Sequence, residues 1–159
     1  MPPNAKQTLY NTLVDQLDAL IRGEGNLIAR AANTAALLFH SLPELNWAGF
    51  YFLADKQLVL GPFQGKPACL RIPLGKGVCG TAADRRETIV VQNVHEFPGH
   101  IACDCRSNSE IVVPIENHGK LIAVLDLDSP QIGRFDADDK AGLQRVVEVF
   151  TAGIEADSA

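Results

Sequence analysis

Four cysteines, at positions 69, 79, 103 and 105, are the residues in this chain best equipped for chemistry. The start of the chain, MPPNAKQTLY, has neither the apolar run nor the small-residue cleavage site of a secretory signal. The chain therefore reads as cytoplasmic, where thiols stay reduced and structural disulfides are rare. Core packing, metal binding and redox catalysis remain as readings of the cysteines. Cys103 sits in HIACDCRSNSE, a polar run in which a thiol is poor core filler, and Cys105 lies two residues further on. Cys79, in GKGVCG, falls at the start of a short predicted helix. The positive end of a helix lowers a thiol's pKa, so this position favours the nucleophilic thiolate. Cys69 follows a proline-containing loop, and its spacing is equally compatible with a half-buried thiol at a strand start. The spacings of ten, twenty-four and two residues lack the paired knuckles of a structural zinc site, so no metal is expected.

Carboxylates form the second set. Asp126 and Asp128 lie two apart in a predicted strand and share a face, while Leu125 and Leu127 point to the other layer. Counting back through the hairpin puts Glu110 opposite position 126 or 127, according to register. One register gathers three carboxylates at one end of the ladder. Like charges that close need a cation or a shared proton. The arrangement is either a solvated sheet edge or a pocket for a ligand's ammonium group, with one carboxyl kept protonated as an acid. Trp47 and Tyr51 share a face of an earlier strand. They are core residues or the walls of a pocket for a small apolar group such as a methyl thioether.

Other chemistries lack their residues. The chain has no GxSxG nucleophile elbow, and GKG around Lys76 does not have Walker spacing. Fourteen basic and nineteen acidic residues give a net charge of −5, with no concentration of cations on one face, so nucleic acid is not an expected partner. No apolar run approaches the roughly 18 residues of a membrane span.

The elements that must position these groups follow from periodicity. Tyr10, Leu13, Val14, Leu17, Leu20 and Ile21 make one stripe of an amphipathic helix stopped at Gly23. A second helix runs from about Leu27 to His40, with Leu27, Ala31, Ala35 and Leu38 on one side. Leu45 to Leu53 reads as a strand, turning at Asp55 and Lys56 into a second from Gln57 to Phe63. The prolines and glycines of 61–67 read as loop. Short strands are expected at Leu70 to Ile72 and Thr88 to Val91, with a long ordered loop from Asn93 to Asn108. Glu110 to Glu116 and Lys120 to Asp128 form a hairpin around Asn117, His118 and Gly119. Asp136 caps a final helix with Leu143, Val146, Val147, Phe150 and Ile154 inward. The order implies an α+β fold, an antiparallel sheet with helices to one side, and one domain over residues 1–159.

Six blocks in this order, NWAGFYFL, GPFQGKPAC, IPLGKGVCG, HIACD, SEIVVPI and AVLDLDS, resemble the free methionine-(R)-sulfoxide reductases over most of the length. The resemblance implies a GAF-like fold, with a central antiparallel sheet of about six strands flanked by helices, commonly as a homodimer. It implies thioredoxin as reductant, no cofactor, and free methionine (R)-sulfoxide as substrate. It makes Cys103 the attacking thiolate, Cys69 the resolving partner and Cys79 a third redox cysteine. It makes Glu110, Asp126 and Asp128 polar substrate contacts, and Trp47 and Tyr51 an apolar wall. Cys105 is an extra cysteine after HIACD. A sulfoxide's oxygen leaves as water only if protonated, a task for a raised-pKa carboxyl, Glu110 or Asp128. The rival reading is a non-catalytic GAF sensor of a small molecule or of redox state, since one fold hosts many functions.

Overall fold

The computed structural model describes residues 2–99 and 107–154. Helix α1 (Ala5–Ile21) starts where Asn4 and Gln7 close a reciprocal capping box, satisfying two backbone donors that the first turn leaves open. Tyr10, Leu13, Leu17 and Ile21 form its buried stripe. Leu20, expected in that stripe, is 49% exposed, because it falls outside the narrow face that α4 and α2 cover. Helix α2 (Leu27–Ser41) is capped by Asn26, and α4 (Ala137–Thr151) by Asp136 in a second capping box with Asp139. Buried Arg30 donates to the carbonyls of Ile21 and Glu24 at the end of α1 and of Phe150 near the end of α4. One guanidinium thus satisfies carbonyls at two helix C-termini, which otherwise lack partners.

The sheet contains β1 (Trp47–Ala54), β2 (Gln57–Gly65), β3 (Arg71–Pro73), β4 (Ile89–Val91), β5 (Ser109–Asn117) and β6 (Lys120–Ser129). Its spatial order is β3-β2-β1-β6-β5-β4, antiparallel throughout. The α+β class and the six strands match the expectation. The placement of every helix on one side does not. Helices α2 and α4 pack against one face, through Phe50, Ile111, Ile115, Leu125 and Leu127, and α1 packs onto those two helices in the same apolar cluster. Helix α3 (Gly77–Arg85) packs on the opposite face, where Val78, Cys79 and Ala82 meet Trp47, Tyr51, Val112 and Val124. Its approach depends on Gly80, since a Cβ there would run into the carbonyl of Pro73.

A second correction concerns residues 61–67, where the expected strand to Phe63 and the expected loop overlap. Strand β2 includes Gly61 and Pro62 and runs past Phe63 to Gly65. Gly49 pairs with Phe63 and Tyr51 with Leu60, so Gly61 and Pro62 together stand opposite the single residue Phe50. The proline and glycine are tolerated because a bulge leaves ladder positions unpaired.

The β5–β6 hairpin turns through His118 and Gly119, both at positive φ, as a two-residue turn matched to strand twist requires. Asn117 pairs with Lys120, but Ile115 pairs with Ala123 and Glu116 with Leu121. Ile122 is the extra residue of a bulge. Beyond it the register moves by one, and Glu110 pairs with Asp128, not with position 126 or 127. Plain counting through the turn would set Glu110 opposite Leu127, on the face covered by α2 and α4. The bulge reverses that parity.

Deleting Ile122 should therefore cost far more than trimming it. Ile122→Val should lower stability by about 1 kcal/mol, in line with losing one methylene. The deletion sets the carboxylates against the apolar layer and should cost more than about 4 kcal/mol. Urea unfolding followed by far-UV circular dichroism distinguishes the two, and near-equal midpoints would show that the register can slip freely.

Candidate functional site

Three strands bring the expected residues to the α3 face of the sheet. In one row, Glu110 on β5 pairs with Asp128 on β6, which pairs in turn with Trp47 on β1. In the next, Val112 pairs with Asp126, and Asp126 with Gly49. In the third, Val124 lies beside Tyr51. Gly49 makes the middle row open. A Cβ there would stand 2.8 Å from Cα of Phe63 and 2.9 Å from Cη2 of Trp47. The indole therefore occupies the space over Gly49, stacked on Tyr51 at 5.9 Å and on Phe63 at 5.2 Å between ring centroids. Sequence reasoning did not select Gly49; the signal available was a glycine between two aromatics in a strand.

Both aromatics use their polar ends to hold one loop. Trp47 Nε1–H donates to the carbonyl of Lys66 at 3.1 Å, and the Tyr51 hydroxyl to that of Cys69 at 2.9 Å. Of the cysteines, Cys69 is disulfide-bonded and Cys79 is free. Cys103 and Cys105 lie outside the described residues. The described residues on either side of them are tied together. The N–H of Val94 donates to the carbonyl of Asn108, and the N–H of Asn108 to that of Ser129. The amide of Asn46, just before β1, reaches the hydroxyl of Ser107 at 3.2 Å.

The electrostatics of Cys79 differ from expectation. It stands in the first turn of α3, where the helix would favour a thiolate, but its thiol is pushed well above its usual range. Burial is the largest cause, followed by Asp126 and Glu110. A dipole worth about half a charge is outweighed by desolvation next to carboxylates. The neutral thiol donates to Glu110 Oε2 at 3.9 Å. Burial first, and then Asp126, pushes the Glu110 carboxyl well above its ordinary 4.5. Burial first, and then Asp128, pushes Asp126 well above 3.8. Glu110 and Asp126 are only 6% and 5% exposed, which decides between the two readings made from sequence: this is not a solvated edge. One oxygen of Asp126, Oδ1, is buried without a hydrogen-bond partner.

The chemical capacity of this face follows directly. A protonated carboxyl can give a proton to a bound oxygen, and a deprotonated neighbour can receive an ammonium group. The orphan oxygen of Asp126 is an acceptor for such a donor. Cys79, Glu110 and Asp126 also offer ligand atoms within 4.8 Å of one another, a spacing that a small cation could bridge.

The chain matches the GAF domain family over residues 7–154. It is 52% identical over 142 residues to the free methionine-R-sulfoxide reductase of Escherichia coli, covering 89% of this chain and 86% of that one. It superposes on the fRMsr of Staphylococcus aureus in complex with substrate with a TM-score of 0.88 at 48% identity, covering 96% and 97% of the two chains. The free methionine-R-sulfoxide reductase of Neisseria meningitidis in complex with its substrate gives a TM-score of 0.91 at 39% identity, covering 96% and 92%.

The buried acids set a stability profile of definite sign. A carboxyl with a raised folded pKa binds its proton more tightly in the folded state than in the unfolded. Its contribution is fully present below the unfolded value and is lost as pH rises through the folded one. For Glu110 and Asp126 the loss begins above about 4.5 and 3.8 respectively. Glu110→Gln should flatten the fall in melting temperature between about pH 4.5 and pH 8 and raise the midpoint at pH 8. Parallel melting curves for wild type and variant across that range would contradict the assignment.

Proposed function

This chain belongs to the free methionine-(R)-sulfoxide reductase family within the GAF domains, and from that premise we propose that it reduces free L-methionine (R)-sulfoxide to L-methionine. The observation that carries the reading is the buried pair of acids, Glu110 and Asp126, with the unpartnered oxygen of Asp126, on the face that also bears Trp47. A sulfoxide supplies what that face lacks: an oxygen that accepts a proton, an ammonium group for a carboxylate, and a methyl group for an indole.

In this reading Asp126 and Asp128 hold the ammonium group, and Trp47 and Tyr51 pack on the methyl thioether. Glu110 protonates the sulfoxide oxygen, so that sulfur becomes electrophilic. The Cys103 thiolate attacks that sulfur. In net terms the oxygen passes to Cys103 as sulfenic acid and methionine leaves with two more electrons than the sulfoxide had. The Cys69 thiol then condenses with the sulfenic acid, forming a disulfide and releasing water. A disulfide at Cys69 alongside a free, neutral Cys79 supports this order and leaves Cys79 in reserve. A dithiol, which we take to be thioredoxin, returns two electrons and two protons by thiol–disulfide exchange. The same reading includes a homodimer, a cytoplasmic location and no metal or other cofactor in the reaction. Among the described residues, no helix is long and apolar enough to cross a membrane.

Selectivity for the free amino acid follows from charge. A buried carboxylate facing an amide nitrogen instead of an ammonium would lose its counter-charge, and that loss is costly. The test is a coupled reductase assay on the separated R and S epimers. Wild type should turn over the R epimer alone and leave sulfoxide residues inside a protein untouched. Cys103→Ser should be inactive. Glu110→Gln should lose about 10²–10⁴-fold in kcat, the usual worth of a positioned acid. Cys69→Ser should release the first equivalent of methionine and then slow sharply. A sensor would consume no thiols on meeting the sulfoxide, and that outcome would end the enzymatic reading.

A further inference from the structure

We propose that the segment from Lys66 to Arg71, at the edge of the sheet, is the docking face for the protein dithiol that re-reduces the Cys69 disulfide, and that this partner attacks the sulfur of Cys69 itself. The inference rests on the reading above for the need to reduce that disulfide, and adds where and by what surface it happens.

Three observations converge on this segment. The first is an apolar side chain out of place. Leu70 is 72% exposed, the most exposed of the large apolar residues described. Single exposed apolar residues are ordinary. This one directly follows a partly exposed, disulfide-bonded cysteine. The second is rigidity. Trp47 holds the carbonyl of Lys66, Tyr51 that of Cys69, and the N–H of Leu60 that of Leu70, at 3.1, 2.9 and 3.0 Å. A segment without regular secondary structure is thus fastened from behind at three points, which presents its outer side in one shape. Little ordering entropy is left to lose when a partner binds. It leads into β3, at one of the two edges of the sheet.

The third is charge. From Lys56 to Ala83 the sequence has no acidic residue, yet it holds Lys56, Lys66, Arg71 and Lys76, in a chain whose net charge is −5. All four cations are exposed. Asp55 and Asp84 border the ends of that stretch, near Lys56 and Lys76, so the uncompensated cations are Lys66 and Arg71, on either side of Leu70 within the segment itself. A cation at each end of an apolar contact fits a small acidic protein whose dithiol is ringed by apolar residues. Opposite charge speeds its encounter, and the leucine supplies the desolvated centre.

The exchange balances without further reactants. A thiolate of the partner attacks Cys69 Sγ, the enzyme's S–S bond breaks, and the other cysteine leaves as thiolate. The partner's second thiol then attacks the mixed disulfide, freeing Cys69. The partner ends as a disulfide, and the enzyme holds two thiols.

The test compares two reductants on the same enzyme. Leu70→Glu and the pair Lys66→Glu with Arg71→Glu should each raise the KM for thioredoxin about tenfold, with turnover driven by dithiothreitol unchanged. The wild-type KM should rise with salt, and that of the charge-reversed pair should not. A thioredoxin variant lacking its second cysteine should be trapped on a peptide containing Cys69. An unchanged KM in both variants, an equal loss with dithiothreitol, or trapping on a different cysteine would overturn the proposal. Failure of the wild type with dithiothreitol would instead strike the reductase reading itself.

Discussion

The site exists because one residue too many stands in strand β6. Side chains alternate along a strand, so a count of residues decides which layer each one enters. Without the bulge at Ile122, Glu110 would fall in the row of Leu127 and face the helical layer. With it, Glu110 pairs with Asp128 and looks toward α3. Ile122 and Ala123 then both turn into the helical layer. The local loss of alternation is absorbed by apolar residues that are at home there. Everything acidic in the site depends on that parity.

Having been brought together, the acids are deprived of water. Glu110, Asp126 and Cys79 are each raised first by burial and then by a neighbouring acid. The result is a cluster that holds protons at a pH where isolated carboxyls have lost them. Such a cluster weakens the fold at neutral pH. Its retention is intelligible if the protons and the orphan oxygen serve a ligand. The aromatic pair has a similar double duty. Trp47 and Tyr51 fill the space over Gly49 with their rings and use Nε1–H and the hydroxyl to fasten residues 66 and 69. The two rings and the backbone of the disulfide-bonded Cys69 are thereby tied into one unit.

Much of this is readable from residue order alone. The capping pattern at Asp136, the hairpin at 117–120 and the α1 stripe depend on local spacing, and spacing survives folding. The shared face of Asp126 and Asp128 is likewise a strand period. What escaped was set by partners distant in sequence. Gly61 and Pro62 read as both strand and loop, because their tolerance in β2 depends on a bulge opposite Phe50. Cys79 read as an activated thiol because the helix start is local, while the carboxylates that outweigh it arrive from β5 and β6. The face occupied by α3 could not be inferred either, since its small buried residues carry no strong stripe.

These misreadings share a direction, and it bears on how the chemistry is divided. A thiol beside buried acids is protonated and a poor nucleophile. Cys79 is therefore unsuited to the first attack, despite its position on a helix. In the proposed function attack falls instead to Cys103, a thiol outside this cluster, and the acids give the proton to oxygen. Acid and nucleophile on separate elements can each keep the protonation state its task requires: burial among like charges holds a carboxyl protonated, and the same surroundings hold a thiol neutral, as they do Cys79. A single residue cluster could not satisfy both demands at one pH, so the division of labour across two elements is a consequence of electrostatics before it is one of topology.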